Sequence, residues 1–379
     1  MFKFSPSHWE SHRTLGSFDV LIIGSGMVGL WTAYHYLRQS PGKKVLLVDQ
    51  LPHGQAGAST RNAGFACFGS PTELLDDLQH ESEAEIIQRL SWRYQGLQAW
   101  LAHFDARAID WTPEHGHEVF SDQEKESYQA VLASLDHLNS LAHAAEIPGR
   151  VYQIASSIGP KLPYTIQILH EAGLHPGKAH QALSAKVHSL GAQWCQGLHV
   201  PPKTEWVRIG ETWKIPSVHG EIEARQVVVA ANAWASELLP HLDVLPGRGQ
   251  VLLTSPIPGL PFRGTYHADA GYLYFRNIGD RLLLGGGRNA FRQAEQSHQA
   301  RISNEVQDYL ERYAREVLLP SSSFDIEERW AGIMAFSSNG SKMPYVHAEN
   351  DQCYVAARMG GMGVALAPVL GQQMADLLE

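Results

Sequence analysis

The chain has 379 residues, 30 Lys plus Arg against 39 Asp plus Glu, and a formal charge of −9. At about 100–200 residues per domain, this length predicts two or three structural units. A composition of 44% hydrophobic and 18% charged residues excludes a disordered chain, which lacks the apolar surface to offset its ordering entropy.

The acidic balance and the lack of a basic tract weigh against nucleic acid, because phosphate recognition needs clustered Lys and Arg. Cys67, Cys195 and Cys353 match neither a disulfide framework nor paired zinc ligands. Lys3, His8, Glu10, His12 and Arg13 break any secretory-signal core. Apolar runs such as Val227–Ala231 fall far short of the roughly 18 residues of a membrane span. A cytoplasmic protein without an integral membrane segment is expected.

The first element begins at Phe18. Val20-Leu21-Ile22-Ile23 is a short buried strand that breaks into Gly24-Ser25-Gly26-Met27-Val28-Gly29, followed by an apolar helical stretch through Leu37. Pro41-Gly42 marks a turn, and Val45-Leu46-Leu47-Val48 is a second strand closed by Asp49. This order predicts a βαβ unit on a parallel sheet.

Glu73–Phe104 reads as one helix with Ile87, Leu90, Tyr94, Leu97 and Leu101 on its apolar face. Another spans about Gln123–Ala145, with the stripe Tyr128, Val131, Leu132, Leu135, Leu138 and Leu141. A third follows His175-Pro176. Gln226–Ala230 is a buried strand returning to the first sheet. Val251–Leu253, Tyr272–Phe275 and Leu282–Leu284 then predict an antiparallel layer, before a strand at Gln352–Ala357 and a terminal helix to Leu378.

The expected fold is thus α/β, a Rossmann-like dinucleotide-binding domain with a parallel sheet, interleaved with an α+β substrate domain containing an antiparallel sheet. Residues 17–85, 148–240 and 326–379 are assigned to the first domain, and 86–147 and 241–325 to the second.

The Gly24-x-Gly26-x-x-Gly29 spacing has a mechanism. The first glycine allows a tight turn, the second lets a pyrophosphate approach the backbone, and the third lets the helix pack close to the strand. Free N–H groups at the helix start then face the phosphates. Asp49, 20 residues after Gly29, is placed to accept from ribose hydroxyls, which favours FAD or NAD over NADP.

Gly57-Ala58-Ser59-Thr60-Arg61-Asn62-Ala63-Gly64 is a small, hydroxyl-rich segment soon after the acid. Here the chain resembles the flavin-dependent amine and amino-acid oxidoreductases of the D-amino-acid oxidase superfamily, which includes glycine oxidase and sarcosine oxidase. In them a similar run wraps the pyrophosphate and the flavin edge. Val229-Ala230-Ala231-Asn232-Ala233-Trp234 resembles the family's return to the cofactor, and Gly360-Gly361-Met362-Gly363-Val364 resembles the turn beside the flavin. The resemblance runs from Phe18 onward. It implies FAD as the cofactor, and adds Gln50 and Val200 to its expected contacts. The glycines at 360, 361 and 363 also lead into a helix whose positive end would stabilise a reduced, anionic flavin.

The substrate side departs from the family. Relatives that bind amino acids hold the carboxylate with an Arg in an Ala-Gly-Leu-Arg run, whereas this chain has Ala331-Gly332-Ile333-Met334. Glycine oxidases carry another Arg just before the flavin-side turn, where this chain has Gly361. Arg276, Lys342 and Arg358 are the candidates to replace these anchors. Tyr272 matches a substrate-contacting Tyr of glycine oxidase, and positions 272, 274 and 276 of a strand share a face. Tyr272, Tyr274 and Arg276 are therefore expected to line one pocket wall unless the phenols are core packing.

His170, His175 and His180 are five apart, which scatters them around a helix, and no His-Glu-x-x-His or Cys-x-x-Cys occurs; no metal is expected. Cys67 reads as packing. No cysteine lies near Met334, where the resemblance to sarcosine oxidase would place a covalent flavin link, so non-covalent FAD is expected.

The leading activity is hydride removal from the carbon of a C–N bond in a small amine or amino-acid-like substrate, giving an imine that water hydrolyses, with oxygen or a quinone as acceptor. The flavin carries the hard chemistry, so no general base is required of the sequence. Two alternatives are a flavoprotein acting on a modified tRNA base and a redox-silent dinucleotide-binding module.

Overall fold

The computed structural model describes residues 16–52, 55, 57–350 and 352–378. The expectation about Lys3–Arg13 lies outside the described residues. The chain opens with β1 (Ser17–Ile23), α1 (Met27–Gln39) and β2 (Val45–Asp49), followed by α2 (Ala58–Arg61), β3 (Phe65–Ala66), α3 (Pro71–Asp77) and α4 (Glu83–His103). Next come β4 (Gly116–Phe120), α5 (Lys125–Ala144), β5 (Tyr152–Ala155), β6 (Tyr164–Ile168), β7 (Ala172–Gly173), α6 (Pro176–Ser189) and β8 (Gln193–Gln196). The middle holds β9 (Val207–Ile209), β10 (Thr212–Ser217), β11 (Gly220–Val229), α7 (Ala235–Leu238), β12 (Leu245–Thr254), β13 (Thr265–Ala268), β14 (Leu273–Ile278) and β15 (Arg281–Gly286). The last elements are α8 (Asn304–Tyr313), β16 (Ile326–Phe336), β17 (Tyr345–Ala348), β18 (Cys353–Ala357) and α9 (Gly363–Leu377).

Two compact units result. The first takes residues up to Thr60, Ala179–Gly247 and those from Met334 onward; the second takes Arg61–Lys178 and Arg248–Ile333. In the first unit an eight-stranded sheet has the order β17-β18-β11-β1-β2-β8, with β10 on β11 and β9 on β10. β1 pairs in parallel with β2 and β11, setting Ile22 beside Leu47 and Val228. These strands are continuous Val/Ile/Leu runs because both faces of a parallel sheet are covered, and Leu21, Ile22, Leu46, Leu47 and Val228 are fully buried. α9 lies against α1, where a Cβ on Gly371 would stand 2.5 Å from Trp31 Cβ.

In the second unit another eight-stranded sheet runs β16-β12-β15-β14-β13-β4-β6-β5. It is antiparallel at β12–β15, β14–β15 and β13–β14, and parallel only where β13 meets β4 among these registers. One face carries Leu252, Phe262, Phe275 and Leu284 against Val306 and Leu310 of α8.

Two expectations are corrected here. Glu73–Phe104 is two helices, because Ser82 closes a capping box with Glu85 and starts α4 anew. The α4 seam is Ile86, Arg89, Leu90, Arg93, Leu97 and Trp100, while Leu101 is exposed; steps of three and of four from Ile86 and Leu90 place both arginines in the buried stripe. The segment 148–178 was assigned to the dinucleotide-binding domain, but β5 and β6 pair with each other and with β4 in the second sheet. Arg61–Glu85 and Ile326–Ile333 also fall in the second unit.

Gly371→Ala places a methyl inside the α1–α9 crossing. Overpacking costs about 1–3 kcal/mol, against about 1 kcal/mol of gained helix propensity. A lower unfolding midpoint is expected; an unchanged or raised one would show that the helices part at no cost.

Candidate active site

The first unit gathers the glycine turn, the acid and three later segments. Gly24 has φ +111°, and a Cβ there would lie 2.4 Å from Ala230 O. A Cβ on Gly29 would lie 2.0 Å from Gly24 O, so α1 can rise directly beneath the turn. Gly26 caps α1 without a side-chain bond, and no acid occupies the first turn. Instead Ser59 Oγ of α2 accepts the Met27 N–H at 2.9 Å, and a Cβ on Gly26 would fall 2.9 Å from the same oxygen. Met27 and Val28 are buried.

The Asp49 carboxylate braces this turn. Oδ2 accepts from Ser25 N–H at 2.8 Å and Ser25 Oγ at 3.0 Å, while Oδ1 accepts from Leu51 N–H at 2.9 Å. The Leu198 N–H bonds Asp49 O at 2.9 Å, which brings the segment leading to buried Val200 past the end of β2. Gln50 is exposed. His180 Nε2 lies 2.8 Å from Ser25 O, a contact that no local pattern in the sequence signals. Of the three histidines, only His180 is inside α6; the helix begins at Pro176, after His175 as expected.

After β11, Ala230 N–H bonds Ile23 O at 2.8 Å. Asn232 takes φ +47°, and its Oδ1 is buried without a hydrogen-bond partner. The Trp234 ring lies 3.9 Å from the Cβ position of Gly57, ahead of Ala58, Ser59 and Thr60 in the single turn of α2. An orphaned amide oxygen beside a glycine cradle with no room for side chains fits a bound dinucleotide.

At the C-terminal turn, Gly360 (φ +56°) donates to Ala335 O at 3.0 Å. Met334 and Gly361, the two positions lacking the family's arginines, therefore sit on either side of one hydrogen bond. Met362 caps α9 without a side-chain bond, and Gly363 and Val364 begin it with no acid in the first turn. Arg358 is committed elsewhere: it donates to Asp243 Oδ2 at 3.3 Å and to Met343 O at 3.4 Å, and its guanidinium lies 5.4 Å from the Tyr345 ring centre. Hydrogen bonds from Ser338, with Arg358 adding to them, hold the Asp243 carboxyl below its ordinary range against the effect of burial. Lys342 is half-buried.

The second unit holds the segment Arg61–Gly64. Asn62 Oδ1 accepts the Gly64 N–H at 2.8 Å, and Trp330 Nε1 donates to Arg61 O at 3.0 Å. Ala63, Phe65, Tyr274, Trp330, Val251 and Leu283 form one apolar wall. The Arg276 guanidinium donates to Gly64 O, to Leu174 O at 3.0 Å and to Thr112 Oγ1 at 3.3 Å. A Cβ on Gly173 would strike it at 2.3 Å. Burial lowers its pKa to about 10.

The expected face of Tyr272, Tyr274 and Arg276 is thereby corrected. Tyr272 precedes β14 and is 47% exposed, the Tyr274 ring is packed in the wall, and the Arg276 donors hold backbone carbonyls. Burial pushes Tyr274 up to about 12, so this phenol stays protonated. Sequence reasoning missed Trp330, whose role depends on pairing across the chain.

The fold also gathers Cys67, Glu171 and His267, whose ligand atoms lie within 4.8 Å of one another. Glu171 is already engaged, accepting from Phe68 N–H at 3.1 Å and lying 3.0 Å from His267 Nε2. Burial pushes the Cys67 thiol well up, and a protonated thiol is a poor ligand. Burial acts to lower His267, but Glu171 overrides it and raises the net value. The trio is thus a buried ion pair beside a neutral thiol.

Arg276→Lys keeps the buried charge but cannot reach the same acceptors. It is expected to cost about 1–3 kcal/mol, read as a lower unfolding midpoint; no change would make the carbonyl clamp dispensable. A second expectation concerns pH. Burial raises Glu118 from 4.5 to about 7, against hydrogen bonds from Thr72 N–H and Oγ1. The folded state holds this proton more tightly than the unfolded one, so the stabilisation is complete below pH 4.5 and is lost as pH rises through about 7. Glu118→Gln, whose amide oxygen accepts the Thr72 N–H while its NH2 donates to Thr72 Oγ1, should flatten the fall in unfolding free energy between about pH 5 and pH 8 by about 2–3 kcal/mol. An identical slope in the variant would contradict this.

Comparisons with known proteins agree with this geometry. Residues 19–377 match the family model described as FAD dependent oxidoreductase, DAO. Glycine oxidase of Bacillus licheniformis is 24% identical over 370 residues, covering 95% of this chain and 93% of that protein. The crystal structure of glycine oxidase from Geobacillus kaustophilus superposes with a TM-score of 0.73 at 18% identity, covering 96% of this chain and 94% of that one. The L-amino acid deaminase of Proteus myxofaciens, solved in complex with anthranilate, gives 0.73 at 16% identity over 96% and 91% of the two chains. No helix among the described residues is long and apolar enough to cross a membrane. The family match spans nearly the whole chain, and the chain belongs to the DAO family of FAD-dependent oxidoreductases.

Proposed function

We propose that the chain oxidises a carbon–nitrogen bond of a small amine or amino-acid-like substrate, using non-covalent FAD held by the first unit. One observation carries this most: Gly24, Gly26 and Gly29 leave only 2.0–2.9 Å between an ideal Cβ and the nearest atom, over a helix start with no acid in its first turn. Those approaches are made by Ala230 O, Ser59 Oγ and Gly24 O of the chain itself, so only glycine lets strand, turn and helix meet in the arrangement that dinucleotide-binding turns use to hold a pyrophosphate.

FAD supplies the hydride acceptor when bound. The start of α1 faces the pyrophosphate. A carboxylate has about four acceptor sites, and Ser25 and Leu51 occupy three at Asp49, leaving capacity for a ribose hydroxyl. Asn232 Oδ1 is available as a cofactor acceptor, and the α9 turn from Gly360 to Val364 offers a positive helix end for the reduced flavin.

In the reaction the substrate carbon gives up a hydride, the nitrogen lone pair closes a C=N bond, and water hydrolyses the imine to a carbonyl and an amine. That related proteins are glycine oxidases and an L-amino acid deaminase supports an amine donor. Oxygen or a quinone would take the electrons. None of the three cysteines is in a disulfide, and a cytoplasmic setting belongs to the same reading.

The purified protein should be yellow, with one FAD per chain released by acid precipitation, and anaerobic amines or amino acids should bleach its visible absorbance. A protein that retains only NAD, keeps its colour in the acid pellet, or is bleached by no member of a broad amine panel would defeat the proposal.

A further inference from the structure

Ser25 stands between two glycines of the opening turn. Gly24 has φ +111°, Gly26 caps α1 at φ −69° and ψ 179°, and glycine lets the peptide on either side of it turn over at little steric cost. Side chains hold the turn instead. The Asp49 carboxylate at the end of β2 accepts the Ser25 N–H at 2.8 Å and its hydroxyl at 3.0 Å. From α6, within the same unit, His180 Nε2 reaches the Ser25 carbonyl at 2.8 Å. A carbonyl only accepts, so Nε2 carries the hydrogen and the ring is the donor. Ser25 is 1% exposed and His180 9%, which keeps water from taking over this bond.

The consequence falls on the next residue. No cis peptide occurs among the described residues, and in a planar trans peptide the Ser25 C=O and the Gly26 N–H point in opposite directions. Holding the carbonyl toward α6 therefore turns the Gly26 N–H away from it. The Met27 N–H that follows is already taken by Ser59 Oγ at 2.9 Å, so the direction of the Gly26 N–H matters the more to an anion arriving at this turn.

We propose that His180 is a positioning residue for FAD: by holding the Ser25 carbonyl it fixes the peptide whose Gly26 N–H serves the pyrophosphate. This rests on the dinucleotide reading of the first unit and is independent of which bond the flavin oxidises. An apolar side chain at 180 leaves a buried carbonyl without its donor. The turn escapes that cost by rotating the 25–26 peptide, which carries Gly26 to a positive φ open to glycine and swings its N–H toward α6.

The test dilutes the full-length, FAD-loaded protein until cofactor dissociates, reads the fluorescence that free FAD regains, and adds ADP as a competitor that carries the pyrophosphate without the flavin. His180→Leu should weaken FAD and ADP alike, by about five- to thirtyfold. His180→Gln, whose amide nitrogen extends about as far from Cβ as Nε2 does, should stay within about threefold of wild type, whereas the shorter His180→Asn should resemble the leucine variant. A histidine that only packs would move the unfolding midpoint and leave both dissociation constants in place. FAD affinity in His180→Leu within about twofold of wild type would overturn the proposal. Equal affinities in the glutamine and asparagine variants would do the same, and that comparison stands even where the leucine variant does not fold. Wild type that binds neither FAD nor ADP would defeat the dinucleotide reading together with this inference, whereas tight FAD binding indifferent to residue 180 defeats the inference alone.

Discussion

The crossing of α1 against the opening turn, where a Cβ on Gly29 would lie 2.0 Å from Gly24 O, is the constraint on which the first unit depends. It allows the helix axis to point its unpaired N–H groups at the turn instead of past it. Ser59 and Asp49 then act on one small volume: the hydroxyl takes the Met27 N–H, and the carboxylate takes the Ser25 N–H and hydroxyl. Each such charge-assisted or capping bond is worth about 1–2 kcal/mol. In combination they fix the conformation of the turn at the start of α1.

In the second unit the corresponding organiser is a buried cation with no acid at hydrogen-bond distance. Arg276 is 5% exposed and bonds carbonyls at 64 and 174 and a hydroxyl at 112. Desolvation works against it, as its lowered pKa records. A guanidinium tolerates this because its intrinsic pKa leaves it charged even after a drop to about 10, and its five donors can be spread over several backbone acceptors. The consequence is positional: Gly64 and Leu174, 110 residues apart in sequence, are held to one side chain, and the Arg61–Gly64 segment takes its conformation from β14 and β16.

The first βαβ unit, the strands near 226, 251, 273, 282 and 353, and the interleaved two-sheet plan were all legible because their signals are local. Val20–Ile23 and Val45–Val48 are uninterrupted apolar runs, and the glycines between them keep a spacing with a steric meaning. The misreadings have a common cause in non-local pairing. β5 and β6 are short and half-buried, so nothing within residues 148–178 says which sheet they join; β4 decides it. Tyr272 looked like the first residue of a strand by its pattern, yet the turn bond from Tyr272 N–H to Asp269 O keeps it outside. Arg276 alternates correctly with Tyr274, but alternation gives a face and not what occupies that face. His180 and Trp330 carry no motif, since each acts on a carbonyl more than 150 residues away.

The protonation states of three buried groups of the second unit narrow which of them could act as a base. Tyr274, held near 12 by burial, stays protonated and accepts no proton at neutral pH. The Cys67 thiol is likewise held neutral, and Glu118, the carboxyl raised to about 7, spends its oxygens on Thr72. Hydride loss from a carbon bearing nitrogen requires the neutral amine, because the nitrogen lone pair must enter the new C=N bond. None of these three groups serves as a free base for that deprotonation. An apolar environment reaches the same end by a different route: transferring an ammonium from water into it is costly, so such a setting favours the neutral amine without a proton acceptor.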